Sequence, residues 1–237
     1  MTRQLYLEDS YMKEFSAKVL EIDIEQKAIV LSATAFYPTG GGQPCDFGTL
    51  SFKENISNVI KVKKVEGKIW HYIEGELPEV GEMVNGVINW KRRYQLMRTH
   101  TAMHAMSAIA WRDYHAQVTG GNMEPLSGRL DFEFENFNAE LVNVIEEKVN
   151  MEIKKGLAVS SKTLPRAEAE EIPDLIRTKI NLLPASLTEI RVVSIGGLDQ
   201  QADGGTHVAD TSEIGTIKVT GYKSKGRINK RIKIAVI

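Results

Sequence analysis

Lys91–Tyr114, KRRYQLMRTHTAMHAMSAIAWRDY, is where the chain changes its period. Tyr94, Met97, Thr101, His104, Ala108 and Trp111 recur every three or four residues, one face of an amphipathic helix. Upstream the period is two. Phe15, Ala17 and Val19 alternate with Ser16, Lys18 and Leu20, and Ala28–Leu31 is a compact apolar run. Asn58–Val65 and Ile69–Ile73 flank Glu66-Gly67-Lys68 as the arms of a hairpin, and Met83–Trp90 reads as a closing strand. Short strands at this spacing, with almost no helical periodicity, predict a small N-terminal β-barrel over residues 1–90. Downstream, Arg129–Glu135 alternates as a strand. Asn138–Lys155 reads as a helix with Leu141, Val142, Val144, Ile145 and Val149 inward. Pro165 is placed to open a short helix, and Glu189–Ile195, Glu213–Thr220 and Lys230–Ile237 read as strands. This irregular mixture makes residues 91–237 an α+β domain.

The composition is that of a folded, water-soluble chain. Of 237 residues, 42% are hydrophobic and 26% charged, which excludes disordered and collagen-like classes. No apolar run approaches the ~20 residues of a membrane helix, and the N-terminus has no signal-peptide stretch. The single Cys45 can form neither an internal disulfide nor a cysteine-rich zinc site, as expected of a protein working in a reducing cytoplasm. A net charge of -1 hides an uneven distribution. Lys91, Arg92, Arg93 and Arg98 form one basic cluster. A second runs through the acid-free stretch Ile214–Ile237 and includes Lys223, Lys225, Arg227, Lys230 and Arg231. Either a polyanion such as RNA or ordinary solvent would suit such segments.

His100 and His104 stand four apart on the predicted helix, which puts both imidazoles on one face, about 5–6 Å apart. Alone, the pair reads first as two core histidines hydrogen-bonded to their neighbours. Asp203-Gly204-Gly205-Thr206-His207 then supplies a third histidine on a glycine-rich loop, with a carboxylate four residues before it. Three of the chain's five histidines thus fall in two short motifs. Two helix histidines and one loop histidine can make a zinc site with an open fourth position, or a closed one if Asp203 also binds. The peptidase motif HExxH is excluded, because Thr101 stands where its glutamate would be. There is no nucleophile-elbow motif, and Cys45 reads as a small packed residue. Gly40-Gly41-Gly42 lacks the Gly-Lys-Ser/Thr ending of a phosphate loop, and position 45 is Cys where a dinucleotide fingerprint needs Gly. A tight barrel turn and a close backbone approach to a ligand both suit this triplet.

These residues resemble a known family. His100-x-x-x-His104, followed about a hundred residues later by DGGTHVADTSEIGTIKV, is similar to the editing domain of alanyl-tRNA synthetases. With no synthetase core before it, the chain resembles the freestanding AlaX-type alanyl-tRNA editing proteins. Phe36–Gly48, FYPTGGGQPCDFG, resembles the glycine-rich loop of their larger members, and Gln117–Phe134, QVTGGNMEPLSGRLDFEF, has the family's shape. The resemblance runs from about residue 15 to the end. It departs at Asp203, where the synthetases and short AlaX proteins carry Cys. A carboxylate can replace a thiolate on zinc, or Asp203 can serve instead as general base for the attacking water.

The resemblance implies a β-barrel followed by an editing domain of the threonyl/alanyl-tRNA synthetase type. It implies one zinc ion per chain held by His100, His104, His207 and Asp203, and hydrolysis of the ester in Ser-tRNA(Ala) or Gly-tRNA(Ala). A pocket sized for alanine cannot exclude glycine and rejects an added hydroxyl only weakly, so a second site must. Thr119 is the expected contact to the serine hydroxyl, although before Gly120-Gly121 it also suits a turn; Gln117 stands beside it. Gly40, Gly41, Gly42, Gln43 and Asp46 are expected to face the editing cleft, and the two basic clusters to touch the phosphates of the tRNA acceptor end. Hydrolysis of another aminoacyl-tRNA, or a non-catalytic tRNA-binding module stabilised by zinc, are the competing readings.

Overall fold

The computed structural model describes residues 2–178, 183 and 187–237. Its contacts divide into two compact units, Met1–Gln95 and Leu96–Ile237. No helix among the described residues is long and apolar enough to cross a membrane.

In the first unit, β1 (Arg3–Gln4) leads through a one-turn helix, α1 (Leu5–Glu8). Six strands then close a barrel in the spatial order β2 (Glu14–Asp23), β3 (Ala28–Leu31), β7 (Lys68–Glu74), β6 (Asn55–Val65), β5 (Gly48–Phe52) and β8 (Met83–Ile88). The two-residue strand β4 (Ala33–Thr34) pairs in parallel with β1. Closure leaves no barrel edge unpaired, and the alternation read along β2 puts Phe15, Ala17 and Val19 inside. The β6–β7 turn is Glu66-Gly67 with φ of 50° and 77°, the two left-handed positions of a type I′ hairpin. Close packing also fixes Gly86, where a Cβ would lie 2.4 Å from the Phe15 ring. Trp90, expected to finish a strand, instead opens the helix α2 (Trp90–Tyr114), because β8 ends at Ile88.

In the second unit α2 is buried on every side from Thr99 to Ala110. The expected single apolar stripe is therefore a correction: an enclosed helix has no solvent face to pattern. An antiparallel four-stranded sheet runs in the order β14 (Ile217–Ser224), β15 (Asn229–Val236), β10 (Ser127–Glu133) and β9 (Val118–Glu124). It approaches α2 so closely that a Cβ on Gly128 would lie 2.7 Å from the Met103 sulfur. The helix α3 (Ala139–Ile153) is capped by Asn138, whose side chain accepts from the Leu141 N–H. It buries Val142, Ile145 and Val149, while Leu141 and Val144 stay half exposed. A second sheet, β11 (Val159–Pro165), β12 (Glu189–Ile195) and β13 (Asp199–Ala202), is also antiparallel, with α4 (Arg166–Glu170) following Pro165. The strand expected at Glu213–Thr220 begins only at Ile217. Thr211–Ile214 is a 3-10 turn closed by a capping box between Asp210 and Glu213, and Gly215 breaks away at φ 84°.

Candidate metal centre

Two elements of the second unit meet at the histidines. From α2 come His100 and His104, with ring centres 5.0 Å apart. From the loop after β13 come Asp203 and His207. That loop is held by Arg191 on β12, whose guanidinium donates to the Asp203 and Gly205 carbonyls at 3.1 and 3.0 Å. The Gly205 N–H closes it further by donating to Asp203 Oδ2 at 2.6 Å.

Asp203 stands among the three Nε2 atoms. Oδ2 is 2.9 Å from His207, while Oδ1 is 3.6 Å from His100 and 4.0 Å from His104. One donor atom from each of the four residues lies within 4.8 Å of all the others. All three histidines are buried and Asp203 nearly so.

Hydrogen bonds on the far side of the rings decide what the near side offers. The Thr101 hydroxyl donates to the Met97 carbonyl at 3.0 Å, so its oxygen accepts from His207 Nδ1–H at 3.1 Å. Val208 N–H donates to the same oxygen at 3.3 Å. His104 Nδ1 donates to Asp199 Oδ2 at 3.0 Å, and Asp199 is paired with Arg177 and accepts from Gln201. His207 therefore turns a bare Nε2 lone pair inward, and His104 does the same in its neutral form. Burial pushes the His207 pKa down to about 4 and His100 well below its ordinary range, so both are neutral at pH 7. Burial opposes charge on His104 too, but its bond to Asp199 and the charges of Asp203 and Asp199 outweigh that and raise it. A nitrogen lone pair facing a carboxylate oxygen at 2.9 Å needs a cation between or beside them. Three imidazoles and a carboxylate are a donor set that fits zinc.

Thr119 lies at a bulge of β9, where Gly120 pairs with Asp131 and Val118 with Phe132, leaving Thr119 without an opposite number. Its hydroxyl is buried without a partner. Val118 N–H donates to the Arg177 carbonyl at 3.2 Å, so this strand and the Asp199–His104 line share one arginine. Gln117, half buried, accepts the Glu133 N–H on its carbonyl.

Gly40 to Asp46 belong to the first unit. Gly40 and Gln43 exchange two backbone hydrogen bonds around Gly41 and Gly42, whose φ values of 56° and 85° make a tight turn. Gln43 is buried, and Asp46, expected at the cleft, has no exposed surface. Its carboxylate is locked to Arg93 and accepts the Tyr37 N–H at 2.7 Å.

Arg93 is a correction for the same reason. Its fully buried guanidinium holds Asp46 and the Ser10 and Ala35 carbonyls, out of reach of any phosphate. Arg92 donates to the Cys45 carbonyl and lies 4.2 Å over the Phe47 ring. Arg98 is committed to the Ile214 and Ile237 carbonyls. Lys230 is buried and caps its own hairpin through Ser224, Gly226 and Arg227, and Arg231 grips Asp131 through two nitrogens. Lys91, Lys223 and Arg227 remain exposed, and so does Lys225, 3.6 Å from Asp131. Asp199, Arg177, Arg191 and the holding role of Thr101 escaped the sequence. Thr101 was visible only as the residue that excludes a peptidase.

Residues 6–92 match the family model described as class II (A) tRNA synthetases. Residues 190–233 match that of the threonyl and alanyl tRNA synthetase second additional domain. The chain is 42% identical over 240 residues to "Alanyl-tRNA editing protein AlaX-M" of Saccharolobus solfataricus, covering 100% of this chain and 99% of the relative. The protein of the same name from Methanosarcina barkeri is 36% identical over 243 residues, covering all of both. "Alanine--tRNA ligase" of Pyrobaculum neutrophilum is 40% identical over 225 residues, 92% of this chain but 25% of the ligase.

Proposed function

This chain belongs to the family of AlaX alanyl-tRNA editing proteins, and we propose that it is a cytoplasmic trans-editing deacylase that uses one zinc ion to hydrolyse Ser-tRNA(Ala), with Gly-tRNA(Ala) as a second substrate. The catalytic work falls to residues 91–237, with 1–90 as the barrel domain. The observation that carries the reading is the buried meeting of three Nε2 atoms around the Asp203 carboxylate, two of them oriented from behind by Thr101 and Asp199. His100, His104, His207 and Asp203 would hold the ion, which supplies Lewis-acid polarisation of the ester carbonyl. Asp203 acts as a ligand rather than as the general base, because its oxygens stand among the histidine nitrogens and Oδ2 is already bound by Gly205 N–H.

Selectivity rests on Thr119. A buried hydroxyl without a partner is satisfied by the hydroxyl of an esterified serine, and alanine leaves it unsatisfied at a cost of about 1–3 kcal/mol. Exposed Lys91, Lys223, Lys225 and Arg227 are the phosphate contacts left to the tRNA after the inward-turned cations are removed. The test is deacylation of Ser-, Gly- and Ala-tRNA(Ala) side by side, with and without chelator. Ser-tRNA(Ala) should be cleared about 5- to 150-fold faster than Ala-tRNA(Ala), as a 1–3 kcal/mol penalty requires, and chelator should abolish both. Turnover that ignores the chelator, or no turnover on any ester, overturns the reading.

A further inference from the structure

The barrel carries a second feature that the deacylase chemistry does not use. Along β7, Ile69, His71 and Ile73 point into the barrel, while Trp70 and Tyr72 point out and remain half exposed. The β6–β7 register sets Lys61 opposite Tyr72 and Lys63 opposite Trp70, so cations and rings alternate across the outer face. Lys61 Nζ rests 4.7 Å above the Tyr72 ring centre. Lys68 Nζ lies 5.9 Å from the Trp70 ring and pairs with Glu21 at 2.6 Å. Lys61 and Lys63 are exposed, and neither has an ion-pair partner among the described residues. Between Asn55 and Glu74 four lysines stand against two acids, Glu66 in the turn and Glu74 at the strand's end. Trp70 also neighbours Val30 on β3, which is only 5% exposed, so the ring serves the barrel on one side.

We propose that the outer face of the β6–β7 hairpin, Lys61, Lys63, Trp70 and Tyr72, is an RNA-binding strip. Lysines neutralise phosphates, and aromatic rings on such a surface stack on bases at about 1–3 kcal/mol each. An acidic protein surface would match the lysines and leave the two rings without a role. RNA uses both. The strip deepens the editing reading by giving its tRNA a contact on the barrel, and it rests on that reading only for which RNA is bound.

The test is binding of the full chain to unacylated tRNA(Ala) across a series of salt concentrations. Each lost phosphate contact removes about 0.7–0.9 from the slope of log K against log salt. Lys61→Ala/Lys63→Ala should therefore flatten the slope by about 1.4–1.8 and weaken binding several-fold at low salt. Both side chains are exposed, so folding is not at stake. The change in tryptophan emission on adding tRNA should disappear in Trp70→Phe. Wild-type affinity and slope in the double variant, with an unchanged emission response in Trp70→Phe, overturn the strip, including the case in which an acidic protein is its occupant. His207→Ala separates the two readings: it should abolish deacylation and leave the salt slope as it was. A wild-type chain that binds tRNA through the strip but cleaves no ester sustains this proposal and sinks the catalytic one.

Discussion

Both units bury clusters of polar side chains, and they finish them differently. In the barrel, Asp46 and Arg93 satisfy each other and three backbone groups, and His71 is held between the Thr34 hydroxyl at 2.8 Å and the Ile29 carbonyl at 3.2 Å. In the second unit His100 Nδ1 and the Thr119 hydroxyl are buried without partners, and His207 Nε2 faces a carboxylate. Every buried side-chain polar atom found unpartnered among the described residues lies beyond Gln95. Burial of charge is thus no marker of function by itself. A saturated cluster holds the fold, and one left open toward its centre waits for something to complete it.

The largest effect that this contrast predicts is structural. Asp46→Ala strands a buried guanidinium and should cost about 3–5 kcal/mol, read as a fall in the urea midpoint of the barrel. Replacing both partners by apolar residues, Asp46→Leu with Arg93→Met, should recover only part of it, because the Tyr37 N–H and the Ser10 and Ala35 carbonyls then lose their partners. A wild-type midpoint for Asp46→Ala would break the comparison, because the barrel cluster would then be no more structural than the open one.

His71 sharpens the contrast through pH. Burial lowers its pKa from 6.5 to about 4, so the unfolded chain takes up a proton that the folded barrel refuses. Its contribution to stability is therefore complete above about pH 6.5 and declines as pH falls toward 4, by about 3 kcal/mol in all. Unfolding free energies measured between pH 4 and 7 should show a shallower dependence in His71→Gln than in wild type. Identical slopes would mean that the ring is protonated inside the barrel.

What the sequence disclosed and what it hid divide along the same line. Alternation exposed β2, the β6–β7 hairpin and β12, because each has one wet face and one dry face. β11 was invisible, being exposed over most of its length, and β13 is four residues long. Glu213–Thr220 misled because Ile214 and Ile217 look continuous across a break at Gly215. The meeting of the three histidines was legible from the two motifs together, since i and i+4 share a helical face and the loop motif is compact. Asp199, Arg177 and Arg191 were not, because nothing in a sequence says which distant carboxylate will meet an imidazole. For the same reason Arg93 and Lys91, two residues apart in one basic run, have opposite fates: one is locked in the barrel and the other stands in solvent.

The smallest expected effect tests whether the open cluster is organised from behind. Thr101 gives its hydrogen to Met97 and so can only accept from His207 Nδ1, which leaves Nε2 bare toward the centre. Thr101→Val keeps the shape and the burial but removes that acceptor, freeing His207 to carry its proton on either nitrogen and leaving the Val208 N–H unpaired. Partners of this kind support metal affinity by about 10–100-fold, and a neutral hydroxyl belongs at the low end of that range. Competition with a chromophoric chelator, or the absorption of a cobalt-substituted site, should register about a 10-fold weaker site in Thr101→Val. Thr101→Ser, which retains the oxygen, should restore it. If valine binds as tightly as threonine, the His207 tautomer is not set by this hydroxyl. Orientation of that ligand must then come from the loop that carries it, through the clamp of Arg191 on the Asp203 and Gly205 carbonyls.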